Sequence, residues 1–175
     1  TDTTSSGTTG ELVDVAGVSI VDVSFYQGVK AQLVSNGAPS TPAVKIAANR
    51  DSLVRVFTNL SSYDFQPVVV RLLIQGQAPL ELDTTLQGGS ESSLGSTANF
   101  DVPAAMLQPG ATFRVEIKRR QSGGGAVIPQ AGYPSDGSYA AVGAETTGPL
   151  HITLVPISYG ADGSDRLPDT SAGTI

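Results

Sequence analysis

The amino-acid sequence predicts an all-β fold, an antiparallel β-sandwich, and three features carry that expectation. Short runs with apolar and polar residues in alternation recur along the chain, the period-2 signature of half-buried strands. Turn chemistry separates them, with 20 glycines and 11 prolines in 175 residues. No stretch of helical periodicity intervenes between consecutive runs, which removes the parallel, helix-covered alternatives.

Taken in order, residues 1–10 are nearly all Thr, Ser, Gly and Asp, and residues 1–17 are expected to form a linker ahead of the domain. The sandwich is expected over 18–159. "VSIVDVSFY" sets Val21, Val23 and Phe25 on one face against Asp22 and Ser24. "VKAQLV" sets Val29, Ala31 and Leu33 against Lys30 and Gln32, and "SLVRVFTNL" sets Val54 and Val56 opposite Arg55. "PVVVRLLIQG" is apolar on both faces except at Arg71, which marks a central strand. "STANFDVP" supplies Ala98, Phe100 and Val102, and a single helical turn is expected over 103–107, where Pro103 suits a first turn.

"MLQPGATFRVEIKRR" holds the sharpest local signal. Pro109 presets φ and Gly110 accepts the positive φ of a type II turn, after which Phe113, Val115 and Ile117 alternate with Arg114, Glu116 and Lys118. A leucine, a Pro-Gly corner and an aromatic that starts a core strand form the crossing between sheets of an immunoglobulin-like or fibronectin type III-like sandwich. Phe113 lacks the hydroxyl of a full tyrosine corner. Residues 121–148 are too long for a simple loop and are expected to hold an inserted hairpin around "YPSDGSY". "LHITLVPISY", with Ile152 and Leu154 inward, closes the series, and 160–175 are expected to be a polar C-terminal linker.

Composition excludes several functional classes. A net charge of −6 argues against nucleic acid, and the only basic run, Lys118-Arg119-Arg120, is expected to be a solvated strand end. Cysteine is absent, so neither disulfides nor thiolate sites are available. No apolar run approaches the ~20 residues of a membrane helix, so no transmembrane segment is expected. His151 is the only histidine, which rules out a two-histidine zinc motif on this chain. Nucleophile-elbow and phosphate-loop patterns are missing as well. Tryptophan is absent and aromatics make up 6%, which disfavours a carbohydrate-binding platform. The one candidate ligand set is "DGSDRLPD", where Asp162, Asp165 and Asp169 could begin an oxygen shell for calcium; no other cofactor is expected.

Three segments, "VSFYQGVKAQLV…NRDSLVRVFT", "ANFDVPAAMLQPGATFRVEI" and "GPLHITLVPISYGADGSDRLPDTS", carry a resemblance over about residues 18–170. They resemble the N-terminal β-sandwich region of exported proteins and lipoproteins from myxobacteria and their relatives. In many of these a zinc-metallopeptidase-like domain follows. The Thr/Ser/Gly opening resembles the linker behind a lipidated cysteine, which implies a lipid anchor upstream of Thr1 and a secreted or cell-surface location. This chain itself has neither the lipid-bearing Cys nor the zinc-binding helix. The expected function is a non-catalytic module that docks, spaces or recognises a protein partner or neighbouring subunit. The alternative is a self-assembling subunit whose N-terminal segment, near Glu11 to Tyr26, adds a strand to its neighbour.

Overall fold

The structure is a computed structural model that describes residues 11–121 and 131–148, together with Gly160 and Gly163. The chain begins with β1 (Glu11–Asp14), β2 (Val18–Tyr26), β3 (Lys30–Ser35), β4 (Ala38–Pro39) and β5 (Ile46–Ala47). It continues with β6 (Ser52–Leu60), β7 (Val68–Ile74), β8 (Leu80–Thr84) and β9 (Ala98–Val102). Then follow β10 (Thr112–Gln121), β11 (Gly132–Tyr133), β12 (Ala140–Ala141) and β13 (Ala144–Glu145). Two main antiparallel sheets result, one in the order β1-β10-β7-β8 and the other β4-β3-β2-β6-β9, with one apolar core formed from both and a short parallel pair, β5 with β13, beside them. The expected all-β sandwich is therefore present.

The core follows from the alternation. Val54, Val56, Val70, Leu72, Phe100, Phe113, Val115 and Ile117 are all buried in one cluster. Phe25 of the second sheet meets Phe113 of the first edge-on, with ring centroids 5.5 Å apart, so one aromatic pair ties the layers together. Ile152 and Leu154 lie outside the described residues. The corner forms as its residues require: Gly110 adopts φ +80, the Ala111 amide donates to the Gln108 carbonyl at 3.0 Å, and Leu107 is fully buried. The turn ahead of it is a 3-10 turn, Ala104–Met106. β7 is central, with β10 on one side and β8 on the other.

Several local expectations are corrected. Residues 11–17 do not belong to a linker throughout, because β1 pairs with the end of β10 from Glu11↔Gln121 to Asp14↔Lys118. Residues 1–10 and most of 160–175 lie outside the described residues. In β2 the register passes from Ile20↔Thr58 directly to Asp22↔Phe57, so Val21 is the extra residue of a bulge. Ahead of the bulge the inward position shifts by one, burying Ile20 and leaving Val21 half-buried, while Val23 and Phe25 stay in the core. Ser24, expected outward with Asp22, is nonetheless fully buried. Val29 is 59% exposed, since it sits in the turn between β2 and β3 and not within a strand.

The hairpin expected within 121–148 falls partly on residues 122–130, outside the described residues, and the described part is a return arm on β10 whose strands do not pair with each other. β11 pairs with β10 at Val115↔Tyr133 and β12 pairs with it at Phe113↔Ala140, both antiparallel. With β1, three short segments thus follow one another along a single edge of β10. A further hairpin joins β3 to β4 through Asn36 and Gly37 at φ 52 and 76, the type I′ geometry that an Asn-Gly pair favours.

Candidate functional site

The most elaborately built polar site lies on the outer face of the second sheet. Arg55 projects there from the middle of β6, opposite Ser24 of β2 and Asn99 of β9. The connection between β8 and β9, rich in Ser and Gly, folds across this face instead of looping into solvent. Arg55 holds it: Nε donates to Thr97 Oγ1 at 3.2 Å and Nη1 to the Glu91 carbonyl at 3.2 Å. Nη2 donates to the carbonyls of Ser90 and Ser93 at 3.1 and 3.0 Å. The guanidinium also lies over the Phe57 ring, 4.9 Å from its centroid, and its side chain is only 6% exposed.

Glu91 completes the cluster from above. Its carboxylate accepts from Lys30 Nζ at 2.7 Å and from the Tyr26 hydroxyl at 2.6 Å, with Arg55 Nη1 at 3.7 Å. The Lys30 hydrogen bond, then the Tyr26 hydroxyl, hold the Glu91 carboxyl below the usual carboxylate range. Burial, and then the hydrogen bond to Glu91, push the Tyr26 phenol up. Gly89 lies so close beneath that a Cβ there would come within 2.8 Å of Phe57 Cβ, which is why glycine stands at this point of closest approach. Every guanidinium nitrogen has a partner, so the arrangement is a clamp on backbone carbonyls and not an acid-base pair. Ser24 Oγ, fully buried on the same face, has no hydrogen-bond partner among the described residues.

The outer face of the first sheet is organised differently. Arg71 lies between Glu81 and Glu116, at 2.9 Å from each, and Arg114 reaches Glu116 at 2.9 Å. The expected solvated basic run is instead fully paired: Lys118 with Asp14 at 2.6 Å, Arg119 with Asp64, and Arg120 with Asp83 at 3.3 Å. Arg114 also donates to the Gly137 carbonyl at 2.9 Å and lies 5.1 Å from the Tyr139 ring centroid, which seats the loop between β11 and β12.

The calcium candidates Asp162, Asp165 and Asp169, and His151 with them, lie outside the described residues. Among the described residues no three acidic or histidine side chains gather closely enough to hold a metal ion. An open depression of about 540 Å³ is lined by Asp51 and Asp101, among others, at the β6–β9 end. Asp51 is engaged there, accepting from the Ala104 amide at 2.7 Å and so capping the turn before the corner. No described helix is long and apolar enough to cross a membrane.

Sequence reasoning placed Arg55 on the outer face but missed the loop that covers it. The available signal was the Gly88-Gly89 pair inside a serine-rich stretch, which is unremarkable until something is known to lie beneath it. The fold defines an all-β protein built on two main antiparallel sheets. No family model matches the chain, and neither a curated protein nor a solved structure matches it.

Proposed function

We propose that this chain is a non-catalytic β-sandwich module of a secreted or cell-surface protein, one that docks, spaces or recognises a protein partner, alone or beside an enzymatic domain such as a metallopeptidase. The observation that supports it over strand donation is the position of the N-terminal strands. β2 pairs with β6 along its length and with β3 over Val23 to Tyr26, and β1 lies on β10 at the edge of its sheet, so Glu11 to Tyr26 is built into the sheets of its own chain. A module also needs a fixed surface, and the Arg55 clamp and the ion-paired face around Arg71 each provide one.

Two measurements test this. Removing residues 1–10 leaves β1 in place, so the shortened chain is expected to remain folded and monomeric in sedimentation velocity, with an unchanged melting temperature. A concentration-dependent ordered assembly of either chain, held by Glu11 to Tyr26 on a neighbour, would favour the self-assembling subunit. The purified chain is expected to leave peptide substrates intact, and chelator-sensitive hydrolysis would overturn the non-catalytic reading.

A further inference from the structure

At one end of the sandwich, a cleft of about 200 Å³ opens between the β2–β3 turn and the segment around β5. Its lining includes Phe25, Ala31 and Ile46, all buried in the core, so its inner surface is apolar. Val29 also lines it and is 59% exposed, so its side chain is available to a group that enters the cleft. The volume falls below the roughly 300–1,000 Å³ of clefts for drug-sized ligands, and suits a single large side chain better than an organic cofactor.

The walls are braced in advance. The Gln27 carboxamide accepts from the Ala47 amide at 2.8 Å and donates to the Ala47 and Arg50 carbonyls at 3.0 and 3.1 Å. β5 is held on its other side by β13, through Ile46↔Ala144 and the Ala48 amide on the Glu145 carbonyl at 2.8 Å. A cleft fixed this way needs little ordering on binding.

Charge supplies the rest. Arg50 lines the cleft, and among the described residues it is the one lysine or arginine without an ion-pair partner. Lys45, also in the lining, pairs only with Glu145, and that pair is largely solvated, with side chains 78% and 55% exposed. Cations around an apolar cleft, in a protein with a net charge of −6, select an apolar group that carries a negative charge.

We infer that this cleft receives one apolar side chain from a segment of a partner protein, with an adjoining carboxylate on Arg50. The inference rests on the module reading and names the chemistry of its partner. The probe is the blocked peptide acetyl-Ala-Phe-Asp-Ala-amide, titrated into the isotope-labelled chain by NMR, with the Asn-for-Asp peptide as its control. Amide shifts are expected within residues 25–31 and 45–50, with the Asp peptide binding about three- to fivefold more tightly than the Asn peptide. Arg50→Gln should erase that difference, and Val29→Ser should weaken both peptides alike. Both positions are exposed, so neither variant threatens folding. Shifts that map elsewhere, no shifts at all, equal binding of the two peptides, or an Arg50→Gln chain that still prefers Asp would each overturn the inference. Failure of the module reading would appear in sedimentation or hydrolysis, which this titration does not touch.

Discussion

Arg55 and Arg71 occupy matching places in the two sheets. Each is the only charged residue of a largely apolar strand, each strand is interior to its sheet, and each side chain projects from the outer face. Their solutions differ. Arg71 finds its partners on the neighbouring strands, in the same rung of the ladder: Glu81 on β8 and Glu116 on β10. Arg55 has Ser24 and Asn99 in its rung, neither of which can neutralise it, and it binds four groups of a connection that lies 35 to 42 positions further along the chain. A charge in a central strand is thus satisfied either by register or by a folded loop. The first keeps the face partly open; the second closes it. The loop over Arg55 is then tied to the sheet beneath it at several points, without regular secondary structure over most of its length.

The largest expected effect sharpens the comparison by acting on both faces at once. Phe113 is fully buried and contacts Phe25 across the sandwich, so Phe113→Ala should cost about 3–5 kcal/mol. Denaturant unfolding should show one transition, with both sheets lost together. Next, Arg55→Met keeps the apolar stem but removes the donors to three carbonyls and a hydroxyl, at a cost of about 2–3 kcal/mol. Hydrogen exchange should accelerate across residues 87–97 while the amides of β7 and β10 stay protected. Protection of that loop in the variant would break the contrast with Arg71.

Arg71→Met should cost less, about 1–2 kcal/mol, because the buried Glu116 keeps Arg114 and Glu81 is partly solvated. Its cost should also shrink in molar salt more than that of Arg55→Met, since Arg55 directs its hydrogen bonds to carbonyls and a hydroxyl and meets a second charge only at Glu91, 3.7 Å away. Gly89→Ala tests the closeness of the loop directly. The new Cβ must displace either the loop or Phe57, and a loss of about 1 kcal/mol is expected. Gly95→Ala, with nothing nearer than 4.0 Å, serves as the neutral control. Thermal melts of the pair will separate close approach from a general loss of glycine.

The smallest effect is the pH dependence of the clamp's upper layer. Glu91 has its folded value below the ordinary 4.5, so its contribution is present above that value and is lost as pH falls through the lowered folded value. Glu91→Gln should therefore flatten the acid limb of the stability curve below about pH 4.5. A variant whose acid limb matches the parent would show that Lys30 and Tyr26 do not engage the carboxylate in solution.

Much of this molecule was legible in short windows of sequence. The alternation of "TFRVEIK" placed Phe113, Val115 and Ile117 inside, two apolar faces marked β7 as central, and Pro109-Gly110 specified its turn. These are consequences of local geometry: side chains in a strand alternate by construction, and proline and glycine restrict or release φ wherever they stand. The Asn36-Gly37 hairpin was equally local and was simply overlooked. Tertiary structure alone decided the rest, because those features depend on a partner that the window does not contain. The bulge at Val21 exists only against the register of β6, and it moves Ile20 into the core. The return arm settles on β10, leaving the far end of the same edge to β1. Lys118, Arg119 and Arg120 look alike in sequence, yet each meets an acid from a different element, because neighbouring residues of a strand point to opposite faces and reach different parts of the fold. Arg55 and Arg71 are indistinguishable by period or composition. Only the packing of the β8–β9 connection, drawn down by the guanidinium and admitted by Gly89, made one of them a clamp and the other a rung.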